Sequence, residues 1–368
     1  MARARYIMVG GFLGAGKTTA MLRLGEHLAA RGTRVGLVTN DQSSGLADTT
    51  ILSASGFPVE EITGGCFCCR FNSLTEAAER LTARVMPEVF LAEPVGSCTD
   101  LKATVSYPLR RMYGDDFSVA PFSVLVDPVR ALRVLGLEAG RRFSDKVVYV
   151  YGKQLEEADV LVINKIDTVA TARLAGLGAA LRERCPRAVL FEVSAKTGAG
   201  LEPWFSHILA SDDESRANLD IDYDEYADGE ARLGWLNCTA RLSGRPFDGN
   251  DWVARLVETL QRQLRRLDIE IAHLKLTLTP AEHDRDLCVV NAVSTDAPPV
   301  SAFRLEDVID AGDLIINLRA EGDPEVLLRE ATGALTAQAA NAGLAVTVDH
   351  IEHFRPGRPV PTHRVVMA

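Results

Sequence analysis

Three cysteines stand within four residues of one another, at Cys66, Cys68 and Cys69, directly after two glycines. Thiolates are soft ligands, so a cluster of this kind is typical of a transition-metal site. A structural zinc site needs four ligands in a tetrahedral arrangement, and this cluster offers three. The spacing therefore favours a site with an open position, from which an ion can be exchanged.

Other interpretations of the cysteines stay open from the sequence. Cys98 could add a fourth thiol, although a single cysteine is more often a small buried apolar side chain. A disulfide is the second alternative. The chain has 7 cysteines in 368 residues, and its short basic N-terminus runs directly into an apolar segment. A reducing cytoplasm is therefore the better expectation.

A phosphate-binding loop opens the chain. Residues 11–18 match GxxxxGK(S/T) without a gap, between a strand-like run at 6–9 and a helix-like run at 19–31. In such a loop, backbone N–H groups surround phosphate oxygens at a helix N-terminus. The lysine meets the β- and γ-phosphates, and the threonine hydroxyl ligates Mg²⁺. The residues expected to hold the nucleotide are Gly11, Gly14, Ala15, Gly16, Lys17, Thr18 and Thr19.

Two later apolar runs, at 160–163 and 188–193, end in polar residues that suit a guanine base. The Asp167 carboxylate, within an NKxD sequence, can accept from guanine N1–H and from the 2-amino group. Adenine offers neither donor, so ATP would leave a buried acceptor unpaired, and GTP is favoured. The residues expected at the base are Asn164, Lys165, Asp167, Ser194, Ala195 and Lys196.

Acidic residues follow two further strand-like runs, at 34–39 and 87–92. Asp41 stands where a carboxylate could reach the metal or the attacking water, and Glu93 stands where an acid holds Mg²⁺ through water. Gly96 could turn its N–H toward the γ-phosphate. An acid at a strand end is often an ordinary helix cap, but nucleotide hydrolysis requires acids near these points.

The elements that position these groups alternate between strand-like and helix-like runs. That alternation predicts an α/β domain with a mostly parallel sheet, in which loops at the carboxyl ends of the strands form the site. We expect this domain at 1–212, an acidic linker at 213–230 and a smaller α+β, ferredoxin-like domain at 231–368. In the last segment, helices are predicted at 251–267 and 324–340.

The order of these motifs resembles the CobW-type family of P-loop GTPases, which is related to the GTPases that help load nickel into hydrogenase and urease. The resemblance covers roughly residues 5–210, and the Cys-x-Cys-Cys placement is its most specific element. It implies a SIMIBI-class GTPase that hydrolyses GTP to GDP with Mg²⁺ and binds Zn²⁺ or Co²⁺ at the cysteines. The catalytic and Mg²⁺-binding residues that it implies are Lys17, Thr18, Asp41 and Glu93.

Three departures separate this chain from the family pattern. The stretch at 42–48 lacks the glutamate that many members carry there, and Pro94 replaces a small hydroxyl residue. The chain also has no histidine-rich tract between its domains; His350, His353 and His363 are expected to be surface or packing side chains. These departures favour a divergent branch whose client protein could also differ.

Composition sets limits on the partners. A formal net charge of −10 and a pI near 5.3 argue against a nucleic-acid surface. No uninterrupted apolar stretch approaches the roughly 20 residues of a membrane span. A hydrophobic content of 47% over 368 residues is enough for two buried cores.

The combined expectation is a cytoplasmic, GTP-hydrolysing metallochaperone that delivers its metal to a client metalloenzyme. No arginine finger can be assigned, so turnover is expected to be slow until metal, a client or a second copy in a homodimer completes the site. One alternative is a GTPase chaperone for an enzyme that depends on a corrinoid or another cofactor. The other is a P-loop ATPase or kinase in which the NKxD match is accidental.

Overall fold

A computed structural model of the chain describes residues 3–40, 52, 55–213, 217–282 and 286–366. These residues form two compact units. Within the described ranges, the first unit contains residues 3–40, 55–226 and 358–366, and the second contains residues 227–357. Asp41, expected to be a catalytic and metal-binding residue, and the stretch at 42–48 lie outside the described residues.

The first unit is built on a parallel sheet, with strand order β3-β2-β4-β1-β6-β7-β8 and with β5 also paired to β1. Its inner strands β2, β4, β6 and β7 are buried on both faces, as expected where helices cover a parallel sheet. The predicted α/β fold is therefore confirmed. The strands are β1 Ala4–Gly11, β2 Val35–Asn40, β3 Val59–Ile62, β4 Val89–Glu93, β5 Phe117–Val119, β6 Ser123–Val126, β7 Val160–Ile163 and β8 Val189–Glu192.

Helices connect these strands. A short π-helical segment, Lys102–Ser106, runs directly into α3, and a 3₁₀ turn, Ile166–Thr168, follows β7. Because the strands are parallel, their carboxyl ends meet at one edge of the sheet, where the loops of the site collect. The helices are α1 Lys17–Ala29, α2 Phe71–Val85, α3 Tyr107–Met112, α4 Pro128–Val134, α5 Asp145–Glu157, α6 Thr171–Arg184, α7 Leu201–Ala210 and α8 Tyr223–Arg232.

The second unit is an antiparallel sheet with the strand order β12-β11-β10-β13-β9-β14. Helices α9 and α10 pack against it over a shared apolar core. The order β14-β9-β13-β10 is that of a ferredoxin-like βαββαβ unit, and β11 and β12 extend one edge, so the predicted α+β fold is also confirmed. The elements are β9 Leu233–Phe247, α9 Gly249–Arg266, β10 Glu270–Pro280, β11 Cys288–Ala292, β12 Val300–Phe303, β13 Ile309–Glu321, α10 Pro324–Ala342 and β14 Ala345–Phe354.

The acidic segment at 213–230 differs from a solvated linker in the part of it that is described. The Asp213 side chain is 1% exposed and forms ion pairs with Lys102 at 3.6 Å and Arg110 at 3.4 Å. The Tyr223 hydroxyl donates to Asp100 Oδ2 at 2.7 Å. Because buried charges need partners, these contacts fix Asp213 and Tyr223 to the first unit, whereas Asp220, Asp222 and Asp224 between and beside them are exposed.

The last described residues differ from the expected boundary as well. The chain leaves the second unit after residue 357, and residues 358–366 belong to the first unit. The amide of Val365 donates to the carbonyl oxygen of Ala103 at 2.8 Å, and Arg364 Nε donates to Asp100 Oδ2 at 2.7 Å. We refer to residues 358–366 as the C-terminal tail.

Candidate nucleotide and metal site

The phosphate-binding loop joins β1 to α1 in the predicted register. Gly16 precedes α1 with a φ of 93°, a left-handed conformation that favours glycine. A Cβ atom at this position would lie 2.5 Å from Asn164 Nδ2. Two constraints therefore require glycine at position 16: the left-handed backbone conformation and the close approach of the NKxD segment.

Asn164 bridges two loops at the carboxyl edge of the sheet. Its side chain is buried; Nδ2 donates to the carbonyl oxygen of Ala15 at 2.9 Å, and Oδ1 accepts from the amide of Ala195 at 2.9 Å. The residue thus ties the phosphate loop to the Ser194–Lys196 stretch, and its predicted contact with the base stays a prediction. Asp167 is exposed in the 3₁₀ turn after β7, where its carboxylate is accessible to a ligand.

A buried acid that sequence reasoning missed, Asp127, follows β6. It caps α4 by accepting from the amide of Arg130 at 3.0 Å, and it pairs with Lys165 Nζ at 2.8 Å. Burial by itself would raise the pKa of Asp127, but the charges of Lys165 and Arg130 outweigh it and hold the pKa below its ordinary value. The signal was present, because an acid followed by Pro128 after an apolar strand is a typical helix start.

Lys165 also contacts the phosphate-binding loop. Its Nζ also donates to the carbonyl oxygen of Gly14 at 2.7 Å, and its backbone has a positive φ of 57°. The NKxD segment, the Asp127 cap and the phosphate loop are joined by these contacts into one structure. We infer that the loop geometry depends on Lys165 and Asp127 together.

Oxygen ligands suited to Mg²⁺ meet beside Lys17. The Thr18 hydroxyl donates to Glu93 Oε1 at 3.2 Å, and Lys17 Nζ lies 3.8 Å from the same carboxylate oxygen. Glu93 is 7% exposed at the end of β4. A hydroxyl and a carboxylate are ligands that Mg²⁺ uses together with phosphate oxygens, so this donor set fits the ion.

The three cysteine sulfurs form a compact cluster. Cys66 Sγ lies 2.7 Å from Cys68 Sγ and 3.3 Å from Cys69 Sγ, and Cys68 Sγ and Cys69 Sγ are 3.7 Å apart. The amide of Cys69 donates to the carbonyl oxygen of Cys66 at 3.0 Å, so a tight turn lets neighbouring cysteines face one point. Thiolates around zinc, at bond lengths near 2.3 Å, stand about 3.8 Å apart. The separation of Cys68 Sγ and Cys69 Sγ matches that spacing, and Cys66 Sγ would have to move away from both to share an ion with them.

Hydrogen bonding makes the three thiols unequal. Hydrogen bonding with Cys68 and Cys69 lowers the pKa of Cys66. Hydrogen bonds to the Cys66 sulfur in turn raise the pKa of Cys68, and they raise the pKa of Cys69 to about 11. All the described cysteines are free thiols, so within the described chain no disulfide competes with metal binding.

Asn40, at the end of β2, holds the cysteine loop from the nucleotide side. Its Nδ2 donates to the carbonyl oxygens of Ile62 at 3.0 Å and Gly65 at 2.7 Å, and its Oδ1 accepts from the amide of Phe67 at 2.7 Å. Asn40 directly precedes Asp41 in the chain. Three hydrogen bonds thus join this strand end to the segment from Ile62 to Phe67.

The C-terminal tail holds the cysteine loop from another side. The amide of Thr362 donates to the carbonyl oxygen of Cys68 at 2.8 Å, and its hydroxyl donates to the carbonyl oxygen of Cys69 at 3.0 Å. The amide of Val360 donates to Cys69 Sγ at 3.3 Å. No local sequence pattern predicts these contacts, because Val360 lies 291 residues after Cys69 in the chain.

The C-terminal histidines have packing and surface contacts, as expected. The His363 ring meets the Phe71 ring edge-on with centroids 5.0 Å apart. His353 Nε2 lies 2.9 Å from Glu325 Oε1, and His350 is exposed on β14. Within the described residues, the histidine, cysteine and acidic side chains whose ligand atoms lie close enough together to hold a metal ion are three cysteines. They are Cys66, Cys68 and Cys69.

The fold and these contacts define a class: a P-loop nucleotide-binding protein with a thiol cluster suited to a transition metal. Residues 5–191 match the model of the CobW/HypB/UreG family, nucleotide-binding domain, and the chain belongs to that family. It is 30% identical over 162 residues to the zinc chaperone YeiR of Escherichia coli K12. That match spans 44% of this chain and 46% of YeiR, so the chain aligns with less than half of this relative.

Two solved structures are similar to this chain at low sequence identity. HypB from Helicobacter pylori in complex with nickel is 18% identical, with a TM-score of 0.41 over 56% of this chain and 86% of that one. Zn(II)-bound YjiA GTPase from E. coli is 13% identical, with a TM-score of 0.39 over 91% of this chain and 99% of that one. Among the residues whose positions are described, no helix has the length and apolar character to cross a membrane.

Proposed function

We propose that this protein is a GTP-hydrolysing metallochaperone, which binds a divalent transition metal at Cys66, Cys68 and Cys69 and passes it to a client protein. The observation that carries the proposal is the convergence of three sulfurs, all within 4.8 Å of one another, in a P-loop protein of the CobW/HypB/UreG family. Zn²⁺ and Co²⁺ are the favoured ions, because both accept thiolates in tetrahedral geometry. The zinc chaperone YeiR supports this choice.

The proposed roles at the nucleotide follow from the contacts around Lys17. Its ammonium would bind the β- and γ-phosphates of GTP, which draws it away from Glu93. Mg²⁺, held by the Thr18 hydroxyl and by Glu93 through water, would neutralise charge on the transferring phosphoryl group when bound. Gly96 would contribute its N–H, and Asp41 remains the proposed residue that orients water.

The base site is proposed to select guanine. Asp167 is exposed and acceptor-only when ionised, so it can take both guanine donors. Ser194, Ala195 and Lys196 would line the other side of the base, since the amide of Ile166 and the carbonyl oxygen of Val193 join the two loops at 3.2 Å. ATP would leave the Asp167 carboxylate without those donors.

Coupling between the two sites is the physical requirement of a chaperone. If the protein bound the metal with equal affinity in its GTP and GDP forms, GTP hydrolysis could not change metal binding, however tight that binding was. Asn40 supplies one route for such coupling, because it joins a strand end at the nucleotide edge to the cysteine loop. Release of metal to a client would then follow the nucleotide state.

The test is titration of the reduced, purified protein with Zn²⁺ and Co²⁺ in the presence of GTP, of GDP and of no nucleotide. We expect one ion per chain, with an affinity that differs between the GTP and GDP forms. The triple variant Cys66→Ser, Cys68→Ser, Cys69→Ser should lose this binding, while Cys238→Ala in the second unit should retain it. Unchanged stoichiometry in the triple variant would refute the proposal, and equal binding of ATP would refute the guanine assignment.

A further inference from the structure

The C-terminal tail lies across the cysteine loop on its most accessible side. Cys66 and Cys68 are 6% and 1% exposed, whereas Cys69 is half-buried. The amide of Val360 donates to Cys69 Sγ at 3.3 Å, and the Thr362 hydroxyl donates to the carbonyl oxygen of Cys69 at 3.0 Å. A ligand that takes a metal from the three thiols must therefore approach where the tail lies.

Beyond the cysteine loop, an ion pair and a backbone hydrogen bond anchor the tail. Arg364 Nε donates to Asp100 Oδ2 at 2.7 Å, and the Asp100 side chain is 1% exposed. The amide of Val365 donates to the carbonyl oxygen of Ala103 at 2.8 Å. Hydrogen bonds between ionised partners are stronger than those between neutral groups, so these two contacts hold the far end of the tail on the first unit.

The composition of the tail suits a segment that detaches and returns. Residues 358–366 lie in no helix or strand, and Val360 and Val366 are 71% and 60% exposed. Pro359 and Pro361 fix their own φ and favour an extended chain, so the tail loses less backbone entropy each time it docks. Segments held by exposed hydrogen bonds, with few buried apolar contacts, open locally at low free energy. The tail can therefore leave the cysteine loop while the sheet stays folded.

We infer that the C-terminal tail is a detachable cover on the cysteine loop, and that its opening sets the rate at which a metal leaves Cys66, Cys68 and Cys69. The inference rests on the proposed function and adds to it a means of controlling release. With the tail docked, the Val360 amide bonds to the Cys69 sulfur and the approach to the ion is blocked. With the tail detached, a ligand from a client can reach the position that three thiolates leave open.

Transfer of Zn²⁺ from the reduced, zinc-loaded protein to a coloured chelator measures the release rate. Val365→Pro removes one amide donor of the tail and should speed transfer roughly two- to tenfold, and a chain that ends at Gly357 should transfer at least about tenfold faster. Val366→Pro, at the exposed neighbouring position, is the matched control and should keep the wild-type rate.

A wild-type rate in Val365→Pro or in the shortened chain would overturn the inference while the proposed metal function stood. Equal acceleration in Val365→Pro and Val366→Pro would overturn it as well, because the hydrogen bond to Ala103 would then have no part in the effect. Failure of the wild type to bind Zn²⁺ would instead refute the proposed function itself.

Hydrogen exchange of the zinc-loaded wild type tests detachment without any variant that could misfold. The amides of Val360, Thr362 and Val365 should be protected roughly a hundredfold less than the amide of Leu91, which lies in the buried strand β4, because the tail opens locally. Protection of the tail amides equal to that of Leu91 would mean that the tail leaves only when the first unit unfolds. That result would overturn the inference.

Discussion

The two units bury polar side chains in different places. In the first unit, Thr18, Glu93 and Asn164 are buried at the carboxyl edge of a parallel sheet, where each contacts a separate loop. In the second unit, Asn317 and Arg319 are buried within β13 itself. Asn317 Nδ2 donates to Asn237 Oδ1 across to β9 at 2.8 Å.

The difference lies in what holds the partners in place. Strand register fixes the neighbours of Arg319, whose Nη1 donates to the carbonyl oxygen of Leu236 at 3.0 Å and whose guanidinium lies 4.0 Å from the Trp235 ring centroid. Loops fix the neighbours of Glu93 and Asn164, and loops can rearrange around a ligand. We therefore expect the buried polar groups of β13 to serve stability, and we propose that those at the edge of the first unit serve binding.

The largest expected effect comes from Lys17→Ala. Removal of the ammonium that meets the phosphates should lower GTP turnover by roughly 10³-fold or more. Phosphate release and the binding of a fluorescent GTP analogue measure this effect. The free energy of unfolding should change little by comparison.

Arg319→Met is the matched control for Lys17→Ala from the second unit. It removes a buried cation with its hydrogen bond and ring contact, so it should lower the free energy of unfolding by about 2–3 kcal/mol in urea. GTP affinity should remain at the wild-type value. A large loss of GTP affinity in Arg319→Met would remove the distinction between the two units.

The next largest expected effect is that the stability of the first unit depends on pH. Burial raises the pKa of Glu157 to about 8, from an ordinary value of 4.5, while the Glu157 carboxylate accepts from the amide of Lys102 at 2.6 Å. The folded protein therefore retains a proton that the unfolded chain releases, and stability should fall as the pH rises between these two values. At about 1.4 kcal/mol per pH unit, we expect a loss of about 2 kcal/mol between about pH 6 and about pH 7.5.

Urea unfolding across this pH range checks the Glu157 prediction. The variant Glu157→Gln is uncharged and of the same shape, so its stability should vary less with pH than that of the wild type. A slope as steep in Glu157→Gln as in the wild type would assign the dependence to another group.

The smallest effect is expected for Thr362→Val in the C-terminal tail. The change removes the hydroxyl that donates to the carbonyl oxygen of Cys69 at 3.0 Å. Loss of one such hydrogen bond corresponds to a roughly two- to tenfold change in affinity. Metal affinity should weaken by about that factor in a Co²⁺ titration. Thr347→Val, at an exposed site on β14, is the control and should bind metal as the wild type does.

Much of the fold was predictable because its signals are local. The predicted strand at 160–163 is β7, Val160–Ile163, and the predicted helix at 324–340 is α10, Pro324–Ala342. The short strand β12, Val300–Phe303, was not predicted, because four partly exposed residues at a sheet edge carry little apolar pattern. Its pairing with β11 depends on a strand that precedes it in the chain.

The site was predictable to a smaller extent. The motifs predicted that the phosphate loop and the NKxD segment belong to one site, but they did not indicate that the Asn164 amide joins Ala15 to Ala195. The position of Asp41 relative to Glu93 stays a prediction, since Asp41 lies outside the described residues. The roles of the remaining site residues also stay proposals until nucleotide and metal binding are measured.

The sequence by itself determined the phosphate loop, the NKxD segment and the clustering of Cys66, Cys68 and Cys69. Each of these depends on residues a few positions apart, whose spacing decides which backbone or side-chain groups can meet. Only the tertiary structure decided that Lys165 pairs with Asp127 and that Thr362 binds the cysteine loop. Those contacts bring distant segments together through parallel strand pairing and chain return, for which no local pattern exists.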